Sequence, residues 1–141
     1  MNNELHGIHV ATTASMIEAE AAVRTELARE GFGVLTEIDV AETLRDKLGI
    51  ERGPYRILGA CNPGLAAEAL DIDPRVGLLL PCNITIHKSD DGTSVTIVDP
   101  MMLVELGGNP SLMPIAVEAG RKLESVVTAL VARPGWGGEL T

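Results

Sequence analysis

The chain has 141 residues, 45% of them apolar and 2% aromatic, which suffices for one domain with an aliphatic core. Its net charge of −9 argues against nucleic-acid and anionic-membrane partners, because both are bound through lysine and arginine. Without an apolar run of roughly 20 residues or a signal-peptide pattern at its start, it is expected to be cytoplasmic.

The first predicted elements are a strand and a helix. Residues 7–13 place apolar side chains at alternate positions, which is typical of a strand with one buried face. Ser15 and Glu18 form the pattern of a capping box, and apolar residues then recur every three or four positions as far as Gly31. This spacing predicts a helix between the capping box and the glycine.

A second strand and helix follow. Segment 32–40 has β-branched residues at alternate positions from Val34 to Val40, which predicts a strand with those side chains on one face. Asp39 then caps a short helix that ends at Gly49. Glu37 and Asp39 share a strand face and could act as an acid–base pair, but a solvated sheet face explains them more simply.

The third strand ends at the first cysteine. Residues 54–61 predict a strand, and Asn62 and Pro63 suit the N-cap and first position of a helix that continues through Leu70. Cys61 therefore lies where a strand turns into a helix. Backbone N–H groups at such a point favour negative charge, including that of a thiolate.

The second cysteine belongs to a predicted hairpin. Residues 78–88 predict a strand in which Pro81 marks an edge position or a bulge, because proline cannot donate to a sheet ladder. An acidic turn and a further strand complete the hairpin. Cys82 shares its strand face with Ile84 and Ile86, which favours a position in the core.

The last predicted helix begins at Asn109 and Pro110 and keeps its apolar spacing as far as Leu130. The segment 101–108 before it fits a strand and a helix equally. Residues 131–141 contain three glycines and a proline and predict a flexible tail, whose Trp136 could still dock on the core.

Together these elements predict a single α+β domain over residues 1–141, with its core at about 7–130. Its sheet is expected to be largely antiparallel with the helices on one face. The other sheet face would then be uncovered, and a homodimer is the commonest way to cover it.

Four blocks of sequence, GFGVLTEIDV, PYRILGACNP, GLLLPCN and IVDP, resemble the domain-of-unknown-function 302 family over about residues 7–130. The resemblance implies a two-layer fold similar to that of the TATA-box-binding protein, and a dimer. It implies no established activity and brings no catalytic residues. Fold kinship with a DNA-binding protein is no evidence of DNA binding.

The two Cys–Asn stretches are the candidate site, with ligand-binding residues Cys61, Asn62, Cys82 and Asn83. No CxxC pattern occurs, so neither a thioredoxin-like pair nor a closed zinc site is indicated. If the two strands are neighbours, the two thiols would suit Cu(I), Zn(II) or a reversible disulfide. The structural alternatives are buried cysteines and asparagines that cap a helix and a turn.

The other candidate ligands are weaker. His6, His9 and His87 could supply nitrogen, but their spacing gives no convergence, and the Met101–Met102 pair is more typical of core filling than of a copper site. No phosphate-loop, dinucleotide, serine-hydrolase or zincin motif occurs.

Three functions therefore stay open. The first is a cytosolic homodimer that binds a small ligand or a soft metal ion, with Cys61 and Cys82 as the candidate metal ligands. The second is a thiol-dependent enzyme or redox protein in which Cys61 is the catalytic nucleophile and Cys82 the resolving thiol. The third is a purely structural dimer with both cysteines in the core. The sequence identifies no cofactor.

Overall fold

The strands of the protein pair into one antiparallel sheet. The computed structural model describes residues 7–138. Its strands are β1 (Gly7–Thr12), β2 (Gly33–Asp39), β3 (Tyr55–Cys61), β4 (Cys82–Ser89), β5 (Gly92–Val98) and β6 (Trp136–Gly138). They lie in the order β2-β3-β4-β5-β1-β6, and each neighbouring pair is antiparallel. The predicted α+β class with a largely antiparallel sheet is confirmed.

The helices begin and end close to the residues that the capping signals indicate. They are α1 (Met16–Arg29), α2 (Val40–Leu48), α3 (Pro63–Ile72), α4 (Met102–Glu105) and α5 (Met113–Val131), with 3₁₀ turns at Pro74–Leu79 and Pro110–Leu112. Ser15 and Glu18 form the complete capping box of α1, and Gly49 ends α2 in the left-handed conformation with φ 66°. None of the helices within residues 7–138 has the length and apolar character needed to span a membrane.

Alternation along the strands puts the main core on one sheet face. Its sheet side is formed by Ile8, Val10, Leu58, Ile84, Ile86, Val95 and Ile97, all of them buried. Helices α1 and α5 cover this face with Ala19, Val23, Leu27, Leu123, Val126 and Leu130. A smaller cluster around Ala69, Val76 and Leu103 joins α3 and α4 to the start of α5.

Proline 81 lies before a central strand rather than within an edge strand. Residues 78–80 belong to a 3₁₀ turn and its end, and β4 starts only at Cys82 and runs between β3 and β5. The prediction of a strand from residue 78 with an edge position or bulge at Pro81 is therefore wrong. A strand hydrogen-bonded on both sides must exclude a residue that has no N–H to donate.

The bulge of the sheet is in β2. The register shifts between Val34 and Thr36, which leaves Leu35 opposite no residue of β3. The even-numbered positions of segment 32–40 consequently do not share one face, because Val34 lies on the core face and Thr36 and Ile38 on the other. A bulge is a property of two paired strands, so the sequence of one strand does not reveal it.

The chain after α5 returns to the sheet instead of extending as a flexible tail. Trp136–Gly138 pair with β1, and Trp136 packs against the main core. Arg133 donates to buried Glu26 at 2.7 and 3.1 Å, and the Thr13 N–H donates to the Gly135 carbonyl at 2.9 Å. These contacts tie down residues 133–138, while residues 139–141 lie outside the described residues.

Candidate functional site

The register of β3 and β4 brings the two cysteines to the same end of the sheet. Cys82, the first residue of β4, pairs with Ala60, which directly precedes Cys61 at the end of β3. Both cysteines are free and half-buried, and both line one cavity between the sheet and the helices. The sequence left open whether the strands of the two cysteines are neighbours, and the structure shows that they are.

The cavity at the cysteines is small and apolar. Its free volume is about 30 Å³, comparable to the volume of one water molecule in the liquid. Its walls include Phe32, Leu65, Leu80, Leu103, Ile115 and Ala119. Such a space holds an ion or a single small molecule, and an organic ligand would require the helices to move.

The environment of Cys82 holds its sulfur in the neutral form. Part of the residue remains accessible, but surrounding protein atoms desolvate the thiol, and this burial raises the pKa of Cys82 to about 11, with the nearby Cys61 adding to the rise. The thiol is therefore protonated at neutral pH and a poor nucleophile. A bound cation would supply the positive charge that a thiolate at this position otherwise lacks.

Asn62 fixes the turn that carries Cys61. Its Oδ1 accepts a hydrogen bond from the Leu65 N–H at 3.2 Å as the N-cap of α3, and its Nδ2 donates to the Glu30 carbonyl at 3.3 Å. Both ends of the amide are thus engaged. Asn62 joins the end of α1 to the start of α3 and acts on the site by positioning Cys61.

Asn83 is not brought to the cavity. It follows Cys82 in a regular strand, so its side chain lies on the opposite sheet face, where it is exposed and opposite Gly59. Of the four residues predicted to bind a ligand, the structure gathers Cys61, Asn62 and Cys82 and separates Asn83 from them.

The histidines lie elsewhere. His9 Nδ1 is 3.0 Å from Thr96 Oγ1, and the His87 ring stacks on Tyr55, while His6 lies outside the described residues. Within residues 7–138, no three or more histidine, cysteine or acidic side chains are grouped so that they could hold a metal ion. In that part of the chain, the two cysteines are thus not joined by a histidine or an acidic side chain as a third candidate ligand.

The sequence prediction missed a cluster of charged residues between α1 and the sheet. Arg56 Nε donates to Glu20 Oε1 at 2.6 Å, and Arg24 contacts both Glu20 and Glu37. Burial opposes ionisation of Glu20, but hydrogen bonds from Arg56 and Arg24 outweigh it and lower the pKa of Glu20. Only the spacing of residues 20 and 24 on one helix could have indicated part of this cluster.

The charged cluster also accounts for the two acidic residues of β2. Glu37 is paired with Arg24 and Arg56, and Asp39 Oδ1 accepts from the Glu42 N–H at 2.9 Å as the N-cap of α2. Both carboxylates have structural partners, so an acid–base pair at Glu37 and Asp39 has no support in this geometry.

Comparison with known proteins identifies the family. The model of the family described as "Domain of unknown function DUF302" matches residues 8–130. A solved structure, the uncharacterized conserved protein DUF302 from Bacillus stearothermophilus, is 32% identical, covers 86% of this chain and 95% of its own, and superposes with a TM-score of 0.79. None of the curated proteins matches this chain. The predicted resemblance is confirmed, and the chain belongs to the DUF302 family.

Proposed function

We propose that the protein is a homodimeric cytoplasmic module that binds a soft metal ion through the thiolates of Cys61 and Cys82. The observation that carries the proposal is the placement of two free cysteines on adjacent strand ends, against one small apolar cavity of about 30 Å³. The small volume of the cavity favours a metal ion over an organic ligand.

The ligand set favours Cu(I) over Zn(II). Zinc in structural sites takes four ligands, whereas residues 7–138 offer two sulfurs and no further histidine or carboxylate nearby. Thiolates are soft ligands that select Cu(I), which accepts two-coordinate binding. The walls add to the selectivity, because they are apolar apart from Asn62, whose amide is already hydrogen-bonded, and so they cannot replace the water shell of a hard cation such as Mg²⁺.

The dimer and the compartment are supported by other features. The sheet face opposite α1 and α5 exposes residues such as Ala11, Ile38 and Asn83, and a second copy would cover it in the two-fold manner that is commonest among oligomers. Two free thiols are typical of a reducing cytoplasm. The net charge of −9 continues to argue against a nucleic-acid partner.

A redox or thiol-enzyme function is the second candidate, favoured by the same proximity of Cys61 and Cys82, since a disulfide also needs neighbouring thiols. The high pKa of Cys82 opposes both functions, because each needs the thiolate at neutral pH. It counts more against the redox function, because a bound metal ion supplies a positive charge that stabilises the thiolate, whereas disulfide formation supplies none. A purely structural role for both cysteines is the third.

The decisive experiment is an anaerobic titration of the reduced protein with Cu(I) against a competing chelator, with native mass spectrometry to count metal ions and chains. We expect one Cu(I) per chain, a dimeric mass, and loss of the metal in both Cys61→Ala and Cys82→Ala. Thr128→Ala, at an exposed position of α5 away from the cavity and from the uncovered sheet face, is the control and should bind as the parent does.

Each alternative has its own result. Stoichiometric disulfide formation with a mild oxidant, without metal binding, would establish the redox function instead. Absence of both metal binding and oxidation, with thiols that react only after unfolding, would leave the structural role. Circular dichroism of each alanine variant distinguishes lost binding from lost folding.

A further inference from the structure

A second cavity lies among the helical segments that follow the two cysteines, and it is larger than the cysteine cavity. Its free volume is about 220 Å³, and its lining residues all fall within segments 73–79 and 106–112. These segments contain the two 3₁₀ turns and the connection after α4. None of the described lining residues is part of a strand, so the cavity does not depend on the sheet face that a second copy would cover.

Aliphatic side chains make up most of the cavity wall. Val76 and Leu112 are buried, and with half-buried Leu79 they belong to the smaller core cluster. Leu78 and Leu106 also line the cavity, but they are 88% and 61% exposed. Exposed apolar side chains around a concave surface are typical of a binding site, because a ligand would remove them from water.

The charged groups of the cavity neutralise each other. The carboxylate of buried Asp73 accepts hydrogen bonds from the Arg75 N–H and Nε, both at 3.0 Å, from Arg75 Nη2 at 2.9 Å and from Asn109 Nδ2 at 3.4 Å. A carboxylate has about four acceptor sites, so Asp73 has none left for a ligand. Because Arg75 balances its charge, the cavity favours an uncharged ligand over a cation or an anion.

We propose that this cavity binds an uncharged, apolar ring compound about the size of indole. An apolar protein cavity of about 150 Å³ accommodates benzene, which has six non-hydrogen atoms. At the same ratio, 220 Å³ accommodates about nine such atoms, the number in indole. Removal of the ring and of the leucine side chains from water drives the binding. For a ligand of this size we expect a Kd of about 1 mM or tighter.

The test is an NMR titration of the metal-free full chain, with labelled valine and leucine methyl groups, against indole. We expect saturating shifts of the methyl signals of Val76, Leu79 and Leu112, and weaker binding of two charged analogues, indole-3-acetate and tryptamine. Binding of either analogue as tight as that of indole would overturn the uncharged class of ligand. Shifts that do not saturate, or that spread evenly over the surface, would overturn the site. Because no metal is present, the outcome is independent of the Cu(I) proposal.

Two variants test the position of the site. Leu78→Asn puts a polar amide on the cavity wall at a highly exposed position, and it should weaken indole binding about fivefold. Ile17→Asn is the matched control, because Ile17 is 83% exposed but lies on α1, and this variant should keep the parent affinity. If Leu78→Asn fails to fold, Leu106→Asn takes its place with the same expected loss. An unchanged affinity in the folded wall variant, or an equal loss in Ile17→Asn, would contradict binding in this cavity.

Discussion

The close approach of Pro81 to β3 makes Gly59 a sensitive test of how the cysteine end of the sheet is built. Gly59 is buried in the middle of β3, and a Cβ atom added there would lie 2.2 Å from Thr36 Oγ1 and 2.6 Å from Pro81 Cγ. Thr36 belongs to an exposed strand and can rotate its side chain. The proline ring is rigid, so Gly59→Ala must displace Pro81 and with it the start of β4 at Cys82.

Overpacking of this kind typically costs about 1–3 kcal/mol, and two contacts below van der Waals distance put Gly59→Ala at about 2–3 kcal/mol. Gly33→Ala is the matched control, because Gly33 also lies in a strand but a Cβ there meets nothing within 4 Å. The control should be neutral or stabilise by up to about 1 kcal/mol, since alanine restricts the unfolded chain.

Equilibrium unfolding in urea, followed by circular dichroism, measures both variants on the same scale. Thr36→Ala in the Gly59→Ala background should recover only part of the loss, since Pro81 remains in place. A Gly59→Ala variant as stable as Gly33→Ala would refute the packing of Pro81 on β3. It would also mean that the start of β4 at Cys82 does not depend on the contact between Pro81 and Gly59.

Two further predictions concern titration. At pH 7, iodoacetamide should alkylate Cys82 roughly two orders of magnitude more slowly than an unperturbed thiol, and the rate should rise until the pH reaches about 11. Peptide mass spectrometry measures the alkylation rate. An ordinary rate at pH 7 would contradict the desolvation of the thiol. The pKa of Glu20 is lower in the folded protein than in the unfolded chain. The Glu20 carboxylate therefore stabilises the fold above about pH 4.3, and this stabilisation is lost as the pH falls through the pKa of Glu20 in the folded protein. Glu20→Gln should cost about 1.5–3 kcal/mol at pH 7 and flatten the loss of stability in acid. An unchanged acid slope would show that the ion pairs of Glu20 with Arg24 and Arg56 contribute nothing.

The elements of the fold that depend on nearby residues could be predicted from the sequence. The capping box at Ser15, the N-cap at Asn62 and the alternation that buries Ile84 and Ile86 are all set by residues a few positions apart. The spacing of Cys82 from those isoleucines likewise predicts its position on the core face. Such features need no knowledge of the rest of the chain.

Features that depend on distant partners could not be predicted. The bulge at Leu35 requires β3, and the docking of Trp136 requires β1 together with a salt bridge from Arg133 to Glu26. A glycine-rich ending is typical of a flexible tail, and only contacts with residues more than a hundred positions away make this one ordered. The same limit applied to the cysteines, whose proximity is decided by the register of β3 and β4.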